Sequence, residues 1–306
     1  MAAQVTIPKP DAVVDAVMDD GAIVRLRRHG TASGPRLALS HGNGMATDGY
    51  FPFWKLLLDR YDLILYDFRN HGQNPVHDPP NHNWPQFVRD DERIWHTIRE
   101  SFGAKPMAGV FHSLSAVASV MHTLEMGKRW DPLVLFDPPI HPRDGHPLQV
   151  AQKATEDDIA DRARRRKERY NDPSDLAAIF ARLPQFRWWL PEAYELMART
   201  TLRYDEVAGD WTLACPRELE AHVFSSNRDA TTWPRMSNLP VPCKMICADP
   251  DSDIVGPPTL IGRAIAEETP CEYEAIPNTG HFLQIERPQE CIRAMESFLR
   301  KHRFID

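Results

Sequence analysis

An α/β fold is predicted, with a mostly parallel sheet covered on both faces and an inserted helical cap. Three observations predict it. Short apolar runs recur at 36–40, 62–67, 106–112, 133–137, 242–248 and 271–277. Helical patterns lie between them, and a strand–helix alternation places helices on both faces of a parallel sheet. Residues 138–240 break the alternation, being rich in helical signals with no evident strand pattern. The expected organisation is therefore a core of residues 1–137 and 241–306 with a helical cap over 138–240.

The elements follow in chain order. Ala12-Val13-Val14 and Ile23-Val24-Arg25-Leu26 flank Asp20-Gly21 and read as an opening hairpin. After the runs at 36–40 and 62–67, a helix is expected over 84–102. Asn83 can cap its start, Gly103 can end it, and Phe87, Ile94, Ile98 and Phe102 share one side. The run at 106–112 passes straight into a helical pattern ending near Gly127, whose Ala116 and Ala118 permit close packing on a sheet. Within 138–240, Asp172-Pro173 starts a helix well, and Leu176, Ile179, Phe180 and Leu183 form its apolar stripe. Phe180, Phe186, Trp188, Trp189, Tyr194 and Met197 are candidates for the inner face of the cap. The basic run from Arg162 to Arg169 lies among acids and reads as a solvated helix face. The last helix follows Pro288, with Cys291, Met295 and Phe298 at helical spacing.

Composition narrows the functional classes. A net charge of −7 argues against a nucleic-acid partner, which would want a basic face. Five cysteines without paired spacing suit reduced, buried thiols in a cytoplasmic protein. The N-terminus lacks the basic and apolar regions of a signal peptide, and no window reaches the ~18 apolar residues of a spanning helix, so no membrane insertion is expected. His77 with His82, and His141 with His146, sit among loop residues, so neither metal nor cofactor is expected.

The candidate chemistry begins at Val110-Phe111-His112-Ser113-Leu114-Ser115-Ala116, an apolar strand ending on a serine that opens a helix. A sharp strand-to-helix turn can hold a hydroxyl above a sheet, ready to attack. Ser115 and Ala116 are small, as a tight turn requires, but Phe111 stands where a G-x-S-x-G pattern has glycine. Upstream, the 36–40 run ends in His41-Gly42-Asn43-Gly44. Glycines there let backbone N–H groups turn into a cavity, where they can stabilise an oxyanion. The N–H groups of Asn43 and Leu114 are the candidate pair. Downstream, the 242–248 run leads to Asp249, Asp251 and Asp253 on one loop, and Gly280-His281-Phe282 follows the 271–277 run. The order serine, acid, histidine suits a triad in which His281 takes the proton of Ser113 and an acid holds the imidazole tautomer.

With Asp67-Phe68-Arg69-Asn70-His71-Gly72 added, these pieces resemble the α/β-hydrolase fold family over nearly the whole chain. The resemblance implies Ser113 as nucleophile, His281 as base and Asp251 as acid, the last if Ala248 occupies a glycine position of the family pattern. Asp249 and Asp253 are close alternatives. Asp137, ending the 133–137 run, is another, because some members carry the acid after that strand. Arg69 and His71 are implied to brace a loop. A serine at 113 points to an acyl-enzyme route. The expected activity is hydrolysis of a carboxylic ester or related acyl bond in a small, fairly apolar molecule. Cleavage of an amide, a lactone or a carbon–carbon bond, acyl transfer, and simple ligand binding on the same fold are the alternatives.

Overall fold

The computed structural model describes residues 5–306; residues 1–4, the start of the N-terminal segment read above, lie outside the described residues. The opening hairpin forms β1 (Ala12–Val17) and β2 (Ile23–Gly30). Then come β3 (Arg36–Ser40), β4 (Asp62–Tyr66), α1 (Trp84–Phe102), β5 (Met107–His112), α2 (Leu114–Met126) and β6 (Leu133–Phe136). The chain continues with α3 (Leu148–Arg165), β7 (Arg169–Tyr170), α4 (Pro173–Phe180), α5 (Pro191–Thr200), β8 (Leu202–Asp205), β9 (Asp210–Leu213) and α6 (Arg217–Ser226). It closes with β10 (Cys243–Cys247), α7 (Pro257–Glu268), β11 (Glu272–Ala275) and α8 (Pro288–Lys301).

Eight strands make one sheet in the order β1-β2-β4-β3-β5-β6-β10-β11. The β1–β2 and β2–β4 pairs are antiparallel; the remaining pairs are parallel. Every residue of β3, β4, β5, β6 and β10 is buried, because both faces are covered. Alternate residues feed two separate cores. Leu37, Leu63, Val110 and Val134 enter one, and Ala38, Ile64, Phe111 and Leu135 the other. At the start of β4, Asp62 pairs with Arg28, Arg36 and Lys105 at 2.7–2.8 Å. This ionic clamp draws together the N-terminal ends of the strands and leaves the opposite ends for chemistry.

Helix α1 starts as expected: the Asn83 side chain accepts the Gln86 N–H at 3.0 Å, and Gly103 follows its end at φ 87°. The region 138–240 differs from expectation in carrying strands. β7, β9 and β8 form a second, antiparallel sheet. These strands span two to four residues each, too few for an alternating pattern to register. Arg169 ties them together through ion pairs to Asp205 (2.8 Å) and Asp210. No helix among the described residues is long and apolar enough to cross a membrane.

Candidate active site

Strand β5 passes into α2 through one residue, Ser113, at φ 53° and ψ −113°. Such a backbone costs a non-glycine residue roughly 1–3 kcal/mol and persists only where its surroundings hold it. Here the Ser113 N–H donates to Phe136 O (3.0 Å) and its carbonyl accepts the Val117 N–H (3.1 Å). The Ser115 hydroxyl closes the turn, donating to His112 O (2.9 Å) and accepting the His112 N–H (3.0 Å). Phe111 fits because the missing bulk lies two residues upstream. A Cβ on Gly109 would stand 2.4 Å from the Phe111 ring, so glycine at 109 leaves the room that the ring occupies. The ring packs between Tyr66 and Trp130.

His281 meets this serine. Its Nε2 is 3.0 Å from Ser113 Oγ, and its Nδ1 is 2.6 Å from Oδ2 of Asp137. Asp137 directly follows β6, which lies beside β5, and its side chain is only 2 % exposed. Its other oxygen accepts from the Thr259 hydroxyl (2.9 Å) and the Ala248 N–H (3.3 Å). The carboxylate is therefore fixed in place and aimed at the imidazole. With the Nδ1 proton given to Asp137, Nε2 is left with a lone pair toward the serine hydroxyl.

The expected acid, Asp251, is not the one the fold brings to His281; Asp137 is. Asp251 is exposed on the loop after β10, where its N–H donates to Asp249 Oδ1 (2.9 Å). Asp249 spends its other oxygen on the Asn278 N–H (2.7 Å), and Asp253 pairs with Arg187 in solvent. These three acids fold their own loop, whereas a buried carboxylate one strand from the serine reaches the histidine.

The two candidate oxyanion donors lie on the 41–44 loop and at the first residue of α2. Among the described residues, neither the Asn43 N–H nor the Leu114 N–H has an acceptor within the chain. Two buried neutral histidines hold the 41–44 loop. His41 donates from Nδ1 to Gly42 O (2.7 Å) and accepts the Phe68 N–H (3.0 Å). His71 donates to Arg69 O (2.9 Å) and accepts the Gly44 N–H (3.1 Å). Burial pushes both imidazoles below the usual histidine range, which keeps them neutral and preserves these tautomers. Arg69 pairs with Asp20 (2.7 Å) and Asp90 (2.5 Å), so it and His71 do serve as braces. The Asn43 side chain reaches across to Glu220 O on α6 at 2.8 Å.

Gly42 is a point of close approach. A Cβ there would lie 3.0 Å from His112 Nδ1 and 3.1 Å from Ser113 Cβ. Gly42→Ala is expected to displace the serine and lower turnover by about tenfold or more, since misplacement by an ångström can cost about a hundredfold. Unchanged rates in a folded Gly42→Ala variant would show that the approach is not tight.

Glu286 lies behind the histidine loop, its Oε2 accepting the Gly280 N–H at 2.5 Å and its Oε1 unpartnered. Burial pushes its carboxyl up to about 7, against the opposing effect of the Gly280 N–H. Between the unfolded value of 4.5 and about 7, the folded protein keeps a proton that the unfolded chain has released. Stability contributed by this group is thus complete below pH 4.5 and is lost as pH rises through 7, to a total of about 3 kcal/mol. Glu286→Gln should flatten the stability profile between pH 5 and 7.5 in denaturant melts; parallel profiles for the two proteins would contradict this.

One cluster has donor types that suit a metal. His71, His82 and Cys215 are buried with ligand atoms within 4.8 Å of one another. The imidazole nitrogens other than His82 Nε2 are engaged in hydrogen bonds, while His82 Nε2 is buried without a partner among the described residues. The lone pair of His71 Nε2 is taken by Gly44, and His82 Nδ1 accepts from Asn70 (3.2 Å), which leaves the proton on His82 Nε2.

The aromatic candidates of 138–240 divide. Phe186 and Trp189 pack on Phe282, the neighbour of His281, at centroid distances of 5.4 and 5.1 Å. Phe180 and Tyr194 back Trp189. Trp188 lies under Arg187, and Met197 fills the space over Gly49. Sequence reasoning gave no part to Tyr50, His112 or Glu286. The adjacency of His112 to the serine was the available signal.

Comparison with curated proteins finds no match. Among solved structures, the chain resembles E-2-(acetamidomethylene)succinate hydrolase at 16% identity and TM-score 0.73, covering 94% of this chain and 100% of that one. A bromoperoxidase from Bacillus anthracis aligns at 16% identity and TM-score 0.71, over 94% and 100% of the two chains. A thermophilic esterase from Thermogutta terrifontis aligns at 18% identity and TM-score 0.68, over 95% and 98%. The names of these three proteins indicate different chemistries, so the likeness speaks for the fold. A sequence profile described as the alpha/beta hydrolase family matches residues 37–294. This chain belongs to the alpha/beta hydrolase family.

Proposed function

We propose that this protein is a serine hydrolase that cleaves a carboxylic ester or related acyl bond in a small, fairly apolar substrate. The unbroken hydrogen-bonded series Asp137–His281–Ser113, ending on a serine held at positive φ, is the observation that supports it. His281 Nε2 takes the hydroxyl proton as Ser113 Oγ attacks the carbonyl carbon, and the imidazolium that forms is stabilised by Asp137. The Asn43 and Leu114 N–H groups receive the oxyanion. His281 then returns the proton to the leaving alcohol, and water, activated by the same imidazole, releases the acid and frees Ser113.

Residues 138–240 act in this reading as the cap. α6 touches the oxyanion loop through Asn43, and Phe186 and Trp189 touch the base loop through Phe282. The aromatic side chains next to His281 favour an apolar acyl or alcohol group.

Labelling with a fluorophosphonate tests the reading. The serine oxygen bonds to phosphorus and fluoride leaves, so only an activated hydroxyl reacts quickly. A single adduct on Ser113, lost after heat denaturation, is expected. No adduct on the folded protein would overturn the assignment and favour ligand binding without catalysis.

A further inference from the structure

We propose that His112 and Tyr50 form a directional relay that ties the oxyanion loop to the base loop and thereby positions His281 over Ser113. This rests on the serine-hydrolase reading above. Three hydrogen bonds make up the relay. The Gly42 N–H donates to the Tyr50 hydroxyl at 3.3 Å. Tyr50 and His112 Nδ1 are 2.7 Å apart, and His112 Nε2 lies 2.8 Å from the carbonyl oxygen of His281.

The direction of each bond is dictated by its partner. A carbonyl only accepts, so His112 Nε2 carries the proton. Burial drives the His112 imidazole well below the usual histidine range, so the ring is neutral and Nδ1 keeps a lone pair. The Tyr50 hydroxyl, raised by its own burial, stays protonated and donates to that lone pair. Its oxygen then accepts from Gly42, one residue before Asn43. No tautomer other than this one satisfies both ends.

His112 thus touches three parts of the site. It precedes the serine on β5, holds the backbone of the base residue itself, and packs its ring on His281 and Phe282 at 4.7 and 5.3 Å. Tyr50 and His112 are 3 % exposed or less, so solvent offers no substitute partner. His112 makes no hydrogen bond to Ser113 Oγ or to the His281 ring, and is a positioning residue. Buried polar groups with every partner in place specify one geometry, and removal of one member leaves the others unpaired.

The test is the rate of fluorophosphonate labelling of Ser113, resolved into inactivation rate and reagent affinity. His112→Leu is expected to slow inactivation by about ten- to a hundredfold with reagent affinity unchanged, because an ångström of misplacement acts on the reacting geometry. His112→Gln, whose amide can donate to His281 O and accept from Tyr50, is expected to recover most of the loss. Tyr50→Phe removes one oxygen from an otherwise intact core and should slow labelling in the same direction. Because the two residues act through one relay, the double variant should be no slower than His112→Leu alone. Wild-type labelling rates in His112→Leu or Tyr50→Phe, or penalties that multiply in the double variant, would overturn the relay. If His112→Leu does not fold, Tyr50→Phe and His112→Gln decide the matter. A wild-type protein that takes no label would instead refute the hydrolase reading on which the relay rests.

Discussion

Asp137→Asn is expected to lower turnover by about 10⁴-fold, while Asp251→Asn leaves it within a factor of about two. An asparagine at 137 keeps the shape, but its amide can present a donor to His281 Nδ1. The imidazole then takes the other tautomer, its Nε2 proton faces Ser113, and it no longer serves as a base. Asp251 has no bond to the histidine and its carboxylate faces solvent. Initial rates on an ester substrate, with the fluorophosphonate rate as a substrate-independent control, separate the two variants. A larger loss at Asp251 than at Asp137 would return the acid role to the loop after β10.

Ser113→Ala is expected to reduce turnover by about three to six orders of magnitude, leaving only the contribution of binding and oxyanion stabilisation. Ser113→Gly should be as inactive yet more stable than Ser113→Ala. Alanine inherits the backbone strain at φ 53° and ψ −113°, worth roughly 1–3 kcal/mol, whereas glycine relieves it. Chemical denaturation of both variants measures the difference. A glycine variant no more stable than the alanine variant would show that the turn is not strained. Residual activity above a hundredth of wild type in Ser113→Ala would remove the serine from the mechanism.

The sheet was legible because its inner strands are buried on both faces and therefore read as unbroken apolar runs, as Leu133-Val134-Leu135-Phe136 does. The serine was legible as a strand ending that opens a helix, and His281 as a residue after glycine beyond the last strand. The choice of acid was not. Asp137 and Asp251 both stand after a buried strand between the serine and the histidine in chain order, and spacing does not say which strand end faces the imidazole. That depends on β6 lying beside β5 and on a 42° φ that turns the Asp137 carboxyl inward. The strands β7 to β9 escaped notice because two to four residues, several of them charged, carry no period. Phe111 looked anomalous because its compensation, Gly109, lies outside the usual motif. The roles of Tyr50 and Glu286 depend on contacts across 62 residues in one case and on burial in the other, neither of which leaves a local pattern.

Two of the three groups in the site share one rigid support. His112 and Phe136 are register partners across β5 and β6, and Ser113 and Asp137 follow them directly, joined by the bond from Ser113 N–H to Phe136 O. His281 alone arrives on a separate loop. A loop lacks the strand ladders that hold a central sheet on both sides, and local opening begins in such segments before the sheet gives way. On gentle heating, amide protons of residues 276–282 should therefore exchange with solvent while those of β5 and β6 remain protected, and catalysis should fade with the former. Activity in this protein would then be a thermometer of a single loop rather than of the fold, and inactivation short of melting would reverse on cooling.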